Sequence, residues 1–244
     1  MAVKPREELA ADFWGRAGGG GELPRPIEAA IVRAAPVWVV RAGGLTPRAV
    51  AGWLHRRGVR LPVPEDGRPL GGCLVAFRGC GAVFVEAGLA ADATRVVIAH
   101  EAAHFLGDYE APRERVLRRL GLSVLPVLDG DRPATEAEGW AAALAGVRLG
   151  AHVHYMDRTY DPAHTAATSA VERAADALAL ELLAPRDLVS AALAAGGPLP
   201  PQGTPWERLL IDRFGLPRRW AAFYAGRLAA WGRRRQTFTQ HLGF

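Results

Sequence analysis

The pattern of apolar and polar positions predicts an α+β chain in which a strand hairpin precedes a buried helix. Two apolar segments, at 73–77 and 82–87, flank a Gly-containing turn at 78–81, which is the pattern of a β-hairpin. After a short turn, the apolar run at 96–99 continues into further helix-compatible residues without Pro or Gly, which indicates a buried helix. We therefore expect a small antiparallel sheet packed on this helix.

Weaker patterns lie on both sides of this unit. A helix is predicted from Thr46, an N-cap followed by Pro47 at the first helical position, to Gly58. Another helix is predicted at 169–183, where an apolar stripe ends before Pro185. The remaining predicted elements are a helix at 26–34, strands at 37–40, 124–128 and 147–156, helices at 116–120 and 136–146, and two helices within 206–231.

Composition along the chain suggests three parts. Residues 1–45 are expected to be a partly flexible N-terminal extension, and residues 1–25, with four glycines at 18–21, are expected to contribute no packing. Residues 46–195 are predicted to form the main domain. A Pro- and Gly-rich linker separates it from a helical C-terminal element at 205–244, which ends in a basic tail.

The buried helix carries the motif His100-Glu101-Ala102-Ala103-His104. Residues i and i+4 of a helix lie on one face with β-carbons roughly 5–6 Å apart, so both imidazoles can bind one metal ion. Glu101 is rotated by roughly 100° from His100, where its carboxylate can accept a proton from the attacking water. Two core histidines bonded to backbone carbonyls are the alternative, but the helix context and the glutamate favour the zincin motif.

A catalytic zinc site uses three protein ligands, so a third ligand has to be found. Glu110 lies six residues after the motif, where a metzincin carries His or Asp, and Met156 would then supply a Met-turn. Glu172 is the better candidate, because it opens the helix at 169–183 and Asp176 follows one turn later on a neighbouring face. A glutamate ligand followed one turn later by an acid is the gluzincin arrangement.

Asp176 is predicted to orient a ligand imidazole, since a carboxylate behind a ligand histidine fixes the ring tautomer and raises its basicity. Both acids also have simpler roles open to them. Ser169 and Glu172 match a capping box, with Glu172 at N3, and Asp176 can be a solvated surface acid. We favour the metal site, with His100, His104 and Glu172 as ligands and Asp176 behind them.

A peptidase site also needs a donor that stabilises the oxyanion of the tetrahedral intermediate. We assign Tyr109 to the catalytic set. The pair His152 and His154 lies on one face of a predicted strand, and we interpret both as core or surface histidines, because two ligands alone are an incomplete metal site. The full group of candidate donors is Tyr109, His152, His154, Tyr155, Tyr160 and His164.

The chain has 30 Lys and Arg against 25 Asp and Glu, a net charge of +5, and Lys4 is its only lysine. A basic surface is compatible with an acidic partner or with nearby DNA. No apolar run approaches about 18 residues and the N-terminus has no signal-peptide core, so we expect a cytoplasmic protein without membrane segments. Cys73 and Cys80 are too few for a disulfide scaffold and are expected to be reduced.

The sequence resembles the ImmA/IrrE metallopeptidases in three blocks, which together cover residues 46–230. The first block is the strand, turn and helix that lead into the 100–104 motif, and the third runs from 214 to 228. The family's second block is Glu-x-x-Ala-Asn-x-Phe-Ala-x-x-Leu-Leu-x-Pro. This chain matches it at Glu172, Ala175, Ala179, Leu182, Leu183 and Pro185, with Asp176 in place of Asn and Leu178 in place of Phe.

The resemblance implies a zincin-like fold with a helix-turn-helix-like C-terminal element. It also implies a zinc-dependent endopeptidase that cleaves a helix-turn-helix repressor and so releases stress-response or mobile-element genes. Carried over by position, the two motif histidines and Glu172 bind Zn²⁺ and Glu101 is the general base. The span between the motif and Glu172 is longer than in the family, which indicates an insertion at 112–165. The chain is too short for the GAF-like sensor domain of the radiation-response members, so sensing through one is not expected.

Two other functions stay open at this point. A DNA-binding or protein-binding regulator with a structural or vestigial zinc site is suggested by the helices at 206–231 and the arginines at 233–235. Against it, a structural zinc site normally has four protein ligands, commonly cysteines, and no cysteine lies near the motif. The other alternative is a toxin-type metallopeptidase with a different protein substrate.

Overall fold

A computed structural model describes residues 4–61, 63, 64, 66–162, 170–195 and 204–241. The chain is of the α+β class, as predicted, with one four-stranded sheet in the described ranges. The strands are β1 (Val37–Ala42), β2 (Leu70–Phe77), β3 (Cys80–Glu86) and β4 (His152–Asp157). The α-helices are α1 (Arg6–Arg16), α2 (Ile27–Ala34), α3 (Pro47–His55), α4 (Ala91–His104), α5 (Ala111–Leu120), α6 (Leu125–Leu128), α7 (Glu136–Ala145), α8 (Ala170–Leu183), α9 (Arg186–Ala195), α10 (Pro205–Asp212) and α11 (Arg218–His241).

The sheet has the strand order β1-β3-β2-β4 and is mixed, which corrects the expectation of a purely antiparallel sheet. The hairpin β2–β3 is antiparallel as predicted, with Leu74 opposite Val83, and β4 adds antiparallel to β2, with His154 opposite Leu74. Strand β1 runs parallel to β3. The chain passes through α3 and β2 between these two strands, so that β3 begins at the same end of the sheet as β1.

Both faces of the sheet are covered, which explains why β2 reads as a nearly continuous apolar run. Leu74 and Ala76 of β2 belong to the main core with α4, whereas Cys73 and Val75 face a second core built with α3. Successive side chains of a strand point to opposite faces, so a central strand between two helical layers has no polar side.

Helix α4 lies between the sheet and helix α8 and is buried from residue 96 to residue 104. A helix that is enclosed on most sides needs no polar face, so the buried part of α4 has only apolar residues apart from the motif. A π-helical turn, Phe105–Glu110, continues α4 directly into α5. Residues 100–104 therefore lie in the buried interior, next to both the sheet and α8.

Residues 1–25 do contribute packing, which corrects the expectation of a segment without it. Helix α1 buries Phe13 and Trp14 in the main core against α8, and the Trp14 indole Nε1–H donates to the carbonyl of Leu182 at 3.0 Å. The spacing of Leu9, Ala10 and the two aromatic residues is that of an amphipathic helix. The four glycines at 18–21 favoured a flexible segment, and the short apolar pattern before them was therefore not interpreted as a helix.

The predicted strand at 124–128 is also wrong. These residues form a 3₁₀ turn and the short helix α6, and Val124, Val127 and Leu128 pack with Val116 in a separate small core. A short apolar run without alternation does not distinguish strand from helix, and Pro126 near its start favours the helical turn. Further along the chain, β4 lies outside this small core and pairs with β2 in the main sheet.

The C-terminal pair of helices predicted about residues 214–216 is present as α10 and α11, joined through Gly215 at a φ of +64°. Phe214, Leu216 and Trp220 are buried in the main core. None of the helices in the described ranges combines the length and the apolar character needed to cross a bilayer.

Replacing Phe13 with Ala tests whether α1 is part of the core. Removing a fully buried phenylalanine side chain costs on the order of 3–5 kcal/mol, because apolar contacts are lost and a cavity is left. Glu8→Ala, at an exposed position of the same helix, is the control and should change stability by less than about 0.5 kcal/mol. Chemical denaturation of the metal-free protein measures both, and equal stability of the two variants would contradict the assignment of α1 to the core.

Candidate metal centre

Helix α4 brings the two motif histidines together on one buried face. His100 and His104 are one turn apart, and their Nε2 atoms lie 3.1 Å from each other. Both side chains are buried, with ring centroids 4.8 Å apart and ring planes inclined by 70°. The two nitrogens thus converge on one point instead of pointing along parallel lines.

Glu172 comes from helix α8, which packs along α4, and closes a triangle with the two histidines. Its Oε2 lies 3.4 Å from Nε2 of His100 and 3.5 Å from Nε2 of His104. Ligand atoms of a tetrahedral ion bound at about 2.0–2.1 Å are about 3.3 Å apart. The three edges have nearly this length, so the residues fit a small divalent cation, and the structure brings all three predicted ligands together.

A carboxylate lies behind each of these histidines. Asp176 Oδ1 is 3.0 Å from Nδ1 of His100, close enough for an ion pair although the two atoms are not aligned as a hydrogen bond. Asp108 Oδ2 is 2.7 Å from Nδ1 of His104. A proton held at each Nδ1 leaves the Nε2 lone pairs directed at the shared point, which is the usual arrangement of ligand histidines.

Asp108 was missed from the sequence, although a signal was present. It lies four residues after His104, and the turn Phe105–Glu110 keeps the helical path that puts positions i and i+4 on one face. Asp176 lies behind a motif imidazole, as predicted, and the structure shows that this imidazole belongs to His100. Its other oxygen accepts a hydrogen bond from the Tyr160 hydroxyl at 2.8 Å, and the Tyr160 ring lies 5.3 Å from the His100 ring.

Glu101 points from α4 towards the sheet and is fully buried. One carboxylate oxygen, Oε2, lies 2.9 Å from Nδ1 of His154, and Oε1 has no hydrogen-bond partner among the described residues. Burial favours a neutral carboxyl, but the neighbouring imidazoles outweigh it, His154 most strongly, and lower the pKa of Glu101. A buried, ionised carboxylate with one free oxygen is a group able to accept a proton.

The sheet leaves room for this carboxylate by having a glycine under it. A β-carbon on Gly72 of β2 would lie 2.4 Å from Cγ1 of Val97 and 3.1 Å from Oε1 of Glu101, both closer than van der Waals contact. The absence of a side chain at this position is therefore what lets α4 approach β2 with Glu101 between them.

His154 of β4 is a fourth member of the cluster, and its interpretation as a core or surface histidine is corrected by its position. Its Nε2 lies 3.2 Å from Oε1 of Glu172, and donor atoms of His100, His104, His154 and Glu172 all lie within 4.8 Å of one another. The sequence signal was the alternation of β4, which puts His152, His154 and Met156 on the face towards α4, as Met156 lies in the main core.

The charges in the cluster shift its pKa values strongly. Burial lowers the pKa of His154, but Glu101 and Glu172 outweigh this effect and raise it to about 10. Burial opposes ionisation of Glu172 as well, yet its contacts with three imidazoles hold its pKa far below the usual range. His152 is also buried, and the negative charge of Asp108 offsets this effect only in part, so the pKa of His152 falls to about 4.

The other sequence candidates lie elsewhere. The Tyr109 hydroxyl accepts a hydrogen bond from the backbone N–H of Gly79 at 2.7 Å and is not among the residues gathered at the cluster. Tyr155 packs on the opposite face of the sheet. Glu110, the alternative third ligand, binds Arg16 of α1 through both oxygens, at 2.9 and 2.8 Å. His164 and Ser169 lie outside the described residues.

Comparisons of this chain with protein-family models, with curated proteins and with solved structures found no match. The assignment of the cluster therefore depends on its own geometry. Two imidazoles, one carboxylate and a triangle with edges of 3.1–3.5 Å make a site that could hold a metal ion, with a carboxylate, Glu101, beside it.

We expect Glu172→Gln to weaken zinc binding by more than about 100-fold, because it removes an ionised ligand, a greater loss than that of a group behind the ligands. Glu110→Gln is the matched control and should leave affinity unchanged, since Glu110 is paired with Arg16. Competition with a chromophoric chelator measures both. Loss of zinc from Glu110→Gln, with normal binding by Glu172→Gln, would favour the metzincin interpretation.

Gly72→Ala should destabilise the protein by about 1–3 kcal/mol, the usual cost of forcing extra atoms into a packed core. The new methyl group meets Val97, whose β-branched side chain has little freedom to rotate in a helix. Gly71→Ala is the control, because its β-carbon would make only ordinary contacts at 3.6 Å or more. Thermal unfolding distinguishes them, and equal midpoints would show that α4 and β2 are less closely packed than described.

Proposed function

We propose that this protein is a zinc-dependent endopeptidase of the cytoplasm. The observation that carries the proposal is the combination of a three-donor triangle of the size that tetrahedral zinc needs with a buried, ionised carboxylate beside it. When bound there, zinc supplies a Lewis acid that polarises a peptide carbonyl and acidifies a water molecule.

The residues of the chain then have separate tasks. His100, His104 and Glu172 hold the ion, while Asp176 and Asp108 keep the two imidazoles in the tautomer that presents Nε2. Glu101 accepts a proton from the attacking water and passes it to the leaving amine, as the scissile C–N bond breaks and a C–O bond forms. A zinc ion held by these three residues would keep an open position for substrate or water.

A protein substrate is supported by the position of the cluster next to a sheet edge. β4 carries His154 and is the last strand of the sheet in the described ranges, so its outer edge can pair with an extended peptide. The three blocks that resemble ImmA/IrrE peptidases, including the α8 segment with Glu172, favour a helix-turn-helix repressor as the substrate. In this proposal the sheet and α4 pack as in a zincin and form the peptidase site. The α10–α11 pair is the helix-turn-helix-like element of the same peptidase.

A second candidate is a regulator whose zinc site is structural. The observation in its favour is His154, since a fourth donor within 4.8 Å of the others could close the coordination sphere and exclude water. Glu101 would then only orient His154. Such a protein would bind zinc as tightly as a peptidase and would cleave no repressor under any metal condition.

The decisive experiment incubates the protein with a purified helix-turn-helix repressor, taken from its own genome, with and without a chelator. Glu101→Gln should keep its zinc but lower cleavage by at least about 10²-fold, because the amide cannot act as the base. Glu114→Gln, an exposed glutamate on α5, should cleave normally. Cleavage is followed by mass spectrometry and zinc by elemental analysis; intact repressor in every metal-loaded sample would favour the structural site.

A further inference from the structure

His154 connects two groups that come from different helices. The backbone of His154 in β4 lies opposite Leu74 of β2. The ring of His154 projects from the sheet towards α4. Nδ1 lies 2.9 Å from Oε2 of Glu101, and Nε2 lies 3.2 Å from Oε1 of Glu172. One imidazole therefore contacts both the proposed general base and the proposed third ligand.

The orientation of this ring differs from that of a ligand. Two imidazoles bound to one tetrahedral ion through nitrogens at about 2.0–2.1 Å have ring centroids about 5 Å apart and converge on the ion. His100 and His104 meet this condition, at 4.8 Å and 70°. His104 and His154 do not, because their rings are stacked at 3.7 Å with planes inclined by only 25°, so an ion in the plane of one ring lies outside the plane of the other.

Glu101 needs a fixed donor of this kind. A buried carboxylate without a hydrogen bond is costly, and a mobile one is a poor base, since a misplacement of about 1 Å can reduce the rate on the order of 10²-fold. The motif histidines direct Nε2 at the metal position and Nδ1 at Asp176 and Asp108. Among the described residues, the side chain that hydrogen-bonds Glu101 is His154.

We propose that His154 is a positioning residue that holds the Glu101 carboxylate through Oε2 and leaves Oε1 to take the proton, without being a metal ligand itself. The proposal depends on the peptidase function proposed above. In this proposal the third histidine of the cluster binds the general base and does not bind the metal. This agrees with its position on the sheet, since the Glu101 side chain faces the sheet.

Two substitutions separate the hydrogen bond from the ring. His154→Phe keeps a flat ring of similar size and removes the donor, whereas the amide nitrogen of His154→Asn replaces Nδ1. We expect Phe to lower kcat on the order of 10²-fold with little change in KM, and Asn to recover part of that loss. His152→Gln, two residues earlier on the same face, is the control, because the nitrogens of His152 have no partner among the described residues.

Two further measurements do not depend on activity. Zinc content and the visible spectrum of the cobalt(II)-substituted protein should be the same in His154→Phe as in the wild type, if His154 is not a ligand. In the zinc-loaded protein, the imidazole Nδ1–H resonance of His154 should shift in Glu101→Gln and disappear in His154→Phe.

Each outcome decides one question. Zinc loss from His154→Phe as large as from Glu172→Gln, or normal kcat in His154→Phe, would overturn the positioning role. If the wild type cleaves nothing, the peptidase function fails, and the resonance still decides the contact: a His154 signal insensitive to Glu101→Gln would overturn it. A shifted resonance, unchanged cobalt spectrum and reduced kcat together support it.

Discussion

The close contact between α4 and α8 is the constraint on which the rest of the structure depends. The triangle takes two corners from α4 and the third from α8, so the two helices must approach closely where these residues lie. Ala102 and Ala103 of α4 and Ala175 and Ala179 of α8 are all buried in the shared core. Small side chains at a helix crossing shorten the distance between the axes, which is what allows Glu172 to reach the histidines.

The far end of α8 is held by polar contacts with both terminal regions of the chain. The carbonyl of Leu182 accepts hydrogen bonds from Trp14 of α1 and from Arg25, and the carbonyl of Ala184 accepts one from the Tyr224 hydroxyl of α11. The last carbonyls of a helix have no partner within it, so these donors satisfy groups that burial would otherwise leave unpaired. The packing of α1 and α11 thus fixes the direction in which α8 presents its acidic first turn.

Short-range patterns in the sequence predicted the parts of this structure that depend on neighbours in the chain. The hairpin of β2 and β3, the burial of α4 and the pairing of its histidines all follow from periodicity, and α8 was recognised from its apolar stripe and Pro185. The same reasoning could place Glu172 and Asp176 on one helix, because their spacing is local. That the helix then packs on α4 was inferred from the chemistry that a third ligand requires.

What the sequence could not predict depends on contacts between distant segments. His154 is separated from Glu101 by 53 residues and meets it only because β4 pairs with β2, a choice of strand order that alternation does not encode. The parallel pairing of β1 is of the same kind. Asp108 and helix α1 are different, because their local signals are present in the sequence: Asp108 lies four residues after His104, and α1 has the apolar spacing of an amphipathic helix.

The separation along the chain of the three residues that form the triangle has a consequence for biosynthesis. The 100–104 motif is synthesised before Glu172, which follows His104 by 68 residues. Glu172 can join the triangle only when α8 packs on α4. Until Glu172 is in place the triangle lacks its carboxylate corner, and the two imidazoles of the motif are fewer than the three protein ligands that a catalytic zinc site uses. The complete triangle therefore forms only after α8 has been synthesised and has packed on α4.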